Sequence, residues 1–158
     1  LKVLKECTDM LLVGIFIWWY NYYYLMNGIN SEVNIYMNFL MVALGGALGA
    51  MARYAISLIP VKADFPILTL ITNILGAILI GFVVGIASER DGVSENAVLF
   101  LKTGVCGGFT TFSTFSLEAY NLIDSHQYVA GGVYVVLSCL CCIVGIVCGK
   151  ILATTVNG

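Results

Sequence analysis

Long apolar runs separated by short polar breaks set the pattern of this chain. Residues 40–59 form an apolar run with Arg53 inside it, rich in glycine and alanine, the small residues that let helices approach closely in lipid. Pro60 ends it. A short turn, VKADFP, leads to Pro66, which suits a helix start because its missing N–H costs nothing there. A second run covers 67–87, interrupted by Thr69, Thr72 and Asn73 and closed by SERDG at 88–92. Ser94 is a candidate N-cap for a third span, which passes through 99–105 into GGFTTFSTFS, too rich in glycine and hydroxyls to continue as an ordinary lipid-facing helix. That span is predicted to break. A loop over 121–127 precedes the fourth run, 128–152, and ATTVNG at 153–158 reads as a polar tail.

A membrane-crossing helix needs about 20 mainly apolar residues, so the predicted fold class is an all-α integral membrane protein. It has four transmembrane helices in a core of residues 40–152, the third of them broken. Residues 1–39 fit less simply. LLVGIFIWWYNYYYL at 11–25 is short for a span, and its second half carries the amphipathic rings that prefer the membrane interface. The charges before it are mixed and no small-residue cleavage site follows, which argues against a signal peptide. This stretch is expected to be an interfacial extension, or one translated from upstream of a start at Met37 or Met41, with a fifth span as the alternative.

Composition narrows the classes further. Hydrophobic residues make up 60% of the 158 and charged residues 10%, with a mean hydropathy of +0.97, so the bilayer is the solvent and no room is left for a soluble enzyme domain. The net charge of −2 comes with scattered single basic residues, which excludes a nucleic-acid partner. Four of the six cysteines lie inside the last apolar run and read as small packing residues, and the single histidine, His126, has no partners at metal-ligand spacing. Arg90, Lys150 and Lys102 fall on one side of the membrane and Lys62 on the other. This weak bias permits insertion in both orientations.

Candidate chemistry concentrates at residues 104–116. Phe109, Phe112 and Phe115 recur at every third position, interleaved with Thr110, Thr111, Ser113 and Thr114. Standing alone, such a segment is as well explained by phenylalanine filling volume and hydroxyls bonding back to helical carbonyls. The preceding Gly107–Gly108 pair tips the reading toward function, because glycines release backbone groups from the helix ladder and unwound backbone in a membrane marks ion or substrate sites. Asn73, in the middle of the second span, offers amide protons to an anion, or serves as interhelical glue. Ring edges are positive and apolar at once, which suits a small anion held weakly enough to leave.

These residues resemble the Fluc/CrcB fluoride channels in three blocks that occur in the family's order: GGALGAMARY at 45–54, TLITNILGAILIG at 69–81 and GVCGGFTTFSTFSLE at 104–118. The resemblance implies a passive fluoride channel of the cell membrane, built as an antiparallel dual-topology homodimer. Two fluoride pathways and a structural sodium ion at the dimer centre come with it. Phe112 and Phe115 look like the pore-lining rings, Asn73 like the amide on the ion path, and Gly107 and Thr110 like the carbonyl donors to sodium. Ser113, Thr114 and Thr69 resemble a polar track with the acidic Glu118 at its end, and Tyr134 and Ser138 look like the pore tyrosine and serine. Arg53 matches the family's motif arginine, expected to attract anions at a vestibule or to brace the fold. Cys142 stands where a small polar residue is expected.

Two other classes fit four apolar helices. A small multidrug-type exporter needs a membrane carboxylate in its first span, and Arg53 is the only ionisable residue there. A non-transporting assembly subunit would use the phenylalanines and glycines for packing alone.

Overall fold

The computed structural model describes residues 32–157 apart from Asp64 and Asp91. Most of the predicted N-terminal extension, residues 1–31, lies outside the described residues. The chain divides into two compact units, Leu1–Met37 and Asn38–Gly158, and the packing and the site described below lie in the second.

The protein is all-α. Helix α1 is Glu32–Ser57, α2 is Ile67–Glu89, and α5 is Tyr128–Asn157. Between them lies a composite span. Its first half, α3 (95–109), joins an α-helical turn Glu95–Val98, a π-helical stretch Leu99–Cys106 and a last short turn Gly107–Phe109. Its second half, α4, is Phe112–Asp124. Helices long and apolar enough to cross a membrane cover Ile35–Ser57, Ile67–Glu89 and Tyr128–Val156, and the broken α3–α4 pair completes a multi-pass membrane fold of four spans. The break falls at Thr110–Thr111, as the glycine pair and hydroxyl run predicted. The π-helical stretch before it was not predicted.

Local chemistry sets the boundaries. Leu58 and Ile59 N–H groups turn back to the Ala55 and Ile56 carbonyls at 3.3 and 3.1 Å, tightening the end of α1 before Pro60. Pro66 occupies the N-cap of α2. Ser94 does sit at the N-cap of α3, but its side chain makes no capping bond. Helix α4 runs on to Asp124, leaving a tighter turn than the loop expected over 121–127. The reason is a buried stripe, Phe115, Ala119 and Leu122, packed with the fully buried Tyr134 of α5. Helix α5 likewise continues through the polar ATTV, where Thr154 and Thr155 hydroxyls bond back to the Ile151 carbonyl at 2.7 and 2.9 Å.

Packing is backbone against backbone. A Cβ on Gly45 would lie 2.9 Å from Gly104 Cα, and one on Gly104 only 2.8 Å from Gly45 Cα. One on Gly49 would run into the Val105 carbonyl. Further along, Gly81 and Gly149 press in the same way on the carbonyls of Ile146 and Ile78. In both pairs the contact positions rise together along the two helices, so α1 runs parallel to α3 and α2 parallel to α5. Lipid gives helices no hydrophobic reason to associate, so this close approach and the dispersion it brings hold the spans together.

Gly49→Val is expected to destabilise the protein by about 1–3 kcal/mol through overpacking. Gly46→Ala, where an added Cβ meets nothing within 4 Å, should be neutral. Detergent-micelle unfolding followed by circular dichroism reads both, and equal stability of the two variants would contradict the packing argument.

Candidate functional site

The break begins with one amide. In a continuous helix the Thr111 N–H would go to the Gly107 carbonyl. Here it donates to Asn73 Oδ1 at 2.8 Å, and Asn73 Nδ2 donates to the Thr111 carbonyl at 3.3 Å. The side chain from the middle of α2 thus occupies both backbone groups of one residue on the opposing span. Thr110 takes an extended conformation, φ −77° and ψ 158°, and Thr111 becomes the N-cap of α4, its Oγ1 accepting the Thr114 N–H at 3.2 Å. Thr111 Oγ1 in turn donates to Thr114 Oγ1 at 2.9 Å and lies 3.3 Å from Ser113 Oγ.

Among the carbonyls that lose their usual donors by this arrangement are those of Gly107 and Thr110. Gly107 gives up the Thr111 N–H to Asn73, and Thr110 gives up the Thr114 N–H to the Thr111 hydroxyl. A third, on Gly108, accepts from Arg53 Nε at 3.3 Å. Arg53 therefore reaches from α1 to the last turn of α3 and braces it. The Thr110 hydroxyl bonds back to the Cys106 carbonyl at 2.9 Å, and its N–H goes to the same oxygen at 3.0 Å.

A second cluster lies below the break. Glu118 of α4 accepts from Thr69 Oγ1 on α2 and from Tyr134 Oη on α5, each at 2.8 Å. Three helices are tied through one carboxylate. Phe115 stacks beside Tyr134 with centroids 5.2 Å apart, and Phe112 continues the row at 5.5 Å from Phe115. Phe115 is buried at 9% exposure, whereas Phe112 is 79% exposed and projects from the subunit.

Between these clusters runs a groove of about 370 Å³, lined among others by Asn73, Thr111, Phe115, Ser138 and Cys142. Ser138 Oγ is the one buried side-chain polar atom without a hydrogen-bond partner among the described residues. A buried hydroxyl ordinarily finds a partner, which sets this one apart from the other buried hydroxyls.

The structure thus brings Asn73, Gly107, Thr110, Phe112, Phe115 and Ser138 to one groove and Thr69, Glu118 and Tyr134 to a cluster at its end. Ser113 is exposed and turned to the Thr111 hydroxyl, and Thr114 is partly buried. Asn73, read from the sequence as an anion contact or as interhelical glue, engages the Thr111 backbone with both ends of its amide. Thr111 was missed as a hub, although a threonine three residues after Gly108 is a candidate N-cap for the segment that follows. No sequence signal marked the bond between Asn73 and Thr111.

Comparison with known proteins adds relatives. The family model described as CrcB-like protein, Camphor Resistance (CrcB), matches residues 40–150. The fluoride-specific ion channel FluC of Ruminiclostridium cellulolyticum is 46% identical over 123 residues, covering 76% of this chain and 95% of that protein. FluC of Pyrococcus abyssi is 41% identical over 115 residues, 72% of this chain and 94% of its own length. FluC of Methanococcus vannielii is 36% identical over 118 residues, 74% and 96% respectively.

Removing the clamp should cost both Thr111 bonds. Asn73→Ala is expected to lower stability by about 2–4 kcal/mol, since each buried backbone group left unpaired costs roughly 1–3 kcal/mol. Chemical unfolding in micelles measures it, and a change below about 0.5 kcal/mol would show that the break holds without Asn73.

Proposed function

This chain belongs to the CrcB family, and we propose that it is a passive, fluoride-selective channel that lets fluoride leave the cell down its electrochemical gradient and so relieves fluoride toxicity. The observation that carries this reading is the lining of the groove. Apart from Lys102, it combines apolar side chains with neutral hydroxyl and amide groups, aromatic rings and a buried serine hydroxyl without a partner among the described residues. Such a lining offers a small anion many weak contacts and no strong trap, which conduction requires. The protein carries an ion and performs no covalent chemistry.

In this reading fluoride enters the groove, accepts a hydrogen bond from the Ser138 hydroxyl and passes the positive edges of the Phe115 and Phe112 rings. Asn73 spends one Nδ2 proton on Thr111 and keeps the other for the ion. The Thr69 and Tyr134 hydroxyls each have a single proton, held by Glu118. Giving it to fluoride means releasing the carboxylate, so the ion exchanges contacts instead of accumulating them. Ser113 and Thr114 extend the polar track beside the rings. Hydrogen fluoride enters from acidic surroundings and ionises in the cytoplasm. The membrane potential then drives the anion outward with about 2.3 kcal/mol per charge per 100 mV.

A second copy of the chain, inserted antiparallel, completes the pathway. The exposed Phe112 ring and the unwound backbone beside the exposed Gly107 support this, because backbone freed from its ladder is tolerated in a membrane only where protein or a polar cavity covers it. The released Gly107 and Thr110 carbonyls are oxygen donors of the kind hard cations take, and they fit a structural sodium ion. Two carbonyls are too few for a full shell, and the same pair from an antiparallel copy would supply four. When bound, the cation would neutralise these carbonyl dipoles and hold the two breaks together.

Purified wild-type protein in liposomes is expected to release fluoride and retain chloride, as read by ion-selective electrodes. Phe112→Ile should abolish the flux without unfolding the protein, since that ring is mostly outside the subunit core, and Asn73→Asp should abolish it as well. Replacing all sodium by a bulky organic cation should slow efflux strongly. Full fluoride flux in both variants would refute the pore assignment, and undiminished flux without sodium would refute the cation site.

A further inference from the structure

We propose that Lys102 is the anion-collecting residue at one mouth of the fluoride groove, and that the pocket it shares with Arg90 is the aqueous antechamber through which ions reach it. The proposal rests on the channel reading above and deepens it.

Lys102 lines two cavities at once. One is the groove that holds Asn73, Phe115 and Ser138. The other, of about 430 Å³, opens at the end of α2 and the start of α3 and is lined by Arg90, Glu95 and Thr103 among others. A side chain that borders both lies at their junction. Among the described residues that line the groove, Lys102 alone has a formal charge, the others being apolar, amide, hydroxyl or thiol groups. Among the described residues, the antechamber lining carries Arg90 and Lys102 beside Glu95.

Depth matters as much as sign. At about 1.5 Å per residue, Lys102 lies roughly 10 Å along the span from the helix start at Glu95. Lysine is expensive at that depth unless its ammonium reaches a wet cavity or the headgroups, and the antechamber provides the wet cavity. The residue also belongs to the π-helical stretch Leu99–Cys106, a departure from α geometry that recurs at functional sites.

The position avoids a trap. A fixed charge beside Ser138 or Phe115 would hold the ion, whereas a mobile ammonium at the mouth raises the local anion concentration and leaves the path beyond it neutral. The opposite end of the path carries Glu118, so the two mouths differ in charge. Neither Asn73 nor the phenylalanines supply long-range attraction, and Arg53, which keeps its charge while donating to the Gly108 carbonyl, does not line the groove.

The test is a charge series in liposomes of zwitterionic lipid at low and at high ionic strength. At low salt, fluoride flux should follow charge at position 102, with Lys102→Arg near wild type, Lys102→Gln about threefold lower and Lys102→Glu about tenfold lower, effects of the size that single charges exert across a Debye length. At high salt the four proteins should converge. Flux of Lys102→Gln and Lys102→Glu equal to wild type at low salt would overturn the proposal. So would losses that do not shrink with salt, which mark a structural role. An effect that appears only when anionic lipid is added would overturn it too, because Lys102 would then be anchoring headgroups. If wild type itself releases no fluoride, the channel reading fails first and separately.

Discussion

One side-chain amide decides the architecture of this protein. Asn73 takes both the N–H and the C=O of Thr111, and in a medium without water those are bonds the backbone cannot forgo. Once they are diverted, the third span cannot continue as one helix. The Thr110 carbonyl turns out, Thr111 caps a new helix, and the phenylalanine row starts from a fresh N-terminus with its own direction. The rings, the freed carbonyls and the groove all follow from that single exchange of partners.

Close packing makes the exchange possible. Asn73 can reach Thr111 only because α2 and the broken span approach closely, and the neighbouring Gly76 meets the Thr110 methyl directly where any side chain would collide. On the other side, Gly45 and Gly49 bring α1 against the π-helical stretch, and Arg53 extends the contact to the Gly108 carbonyl. The break is thus clamped from two helices, one by an amide and one by a guanidinium, so the unwound segment is held rigidly. A preorganised site needs that rigidity, since weak contacts to a small ion are selective only if their geometry does not relax around a larger one.

Glu118 plays a comparable part lower in the subunit. By accepting from Thr69 and Tyr134 at once it joins three helices, and it keeps two hydroxyls oriented beside the last ring. The same carboxylate would be an obstacle to an anion if it stood free. Shared between two donors, it ties the helices together.

Much of this was legible along the chain. Span number, the position of the break and the candidate residues follow from runs of apolar side chains, from proline and glycine, and from three short motifs, because the cost of exposing backbone or charge to lipid acts locally and leaves a local mark. What the chain alone did not reveal is who bonds to whom. Asn73 read equally well as an ion contact or as interhelical glue, Arg53 as a vestibule charge or a brace, and Thr69, Glu118 and Tyr134 as separate members of a polar track. Their partners lie far away in sequence, and a polar side chain in a membrane bonds to whatever packing brings within about 3 Å. Only the tertiary structure sets that distance, so it alone decided that Asn73 breaks the helix, that Arg53 braces it and that Ser138 is left open.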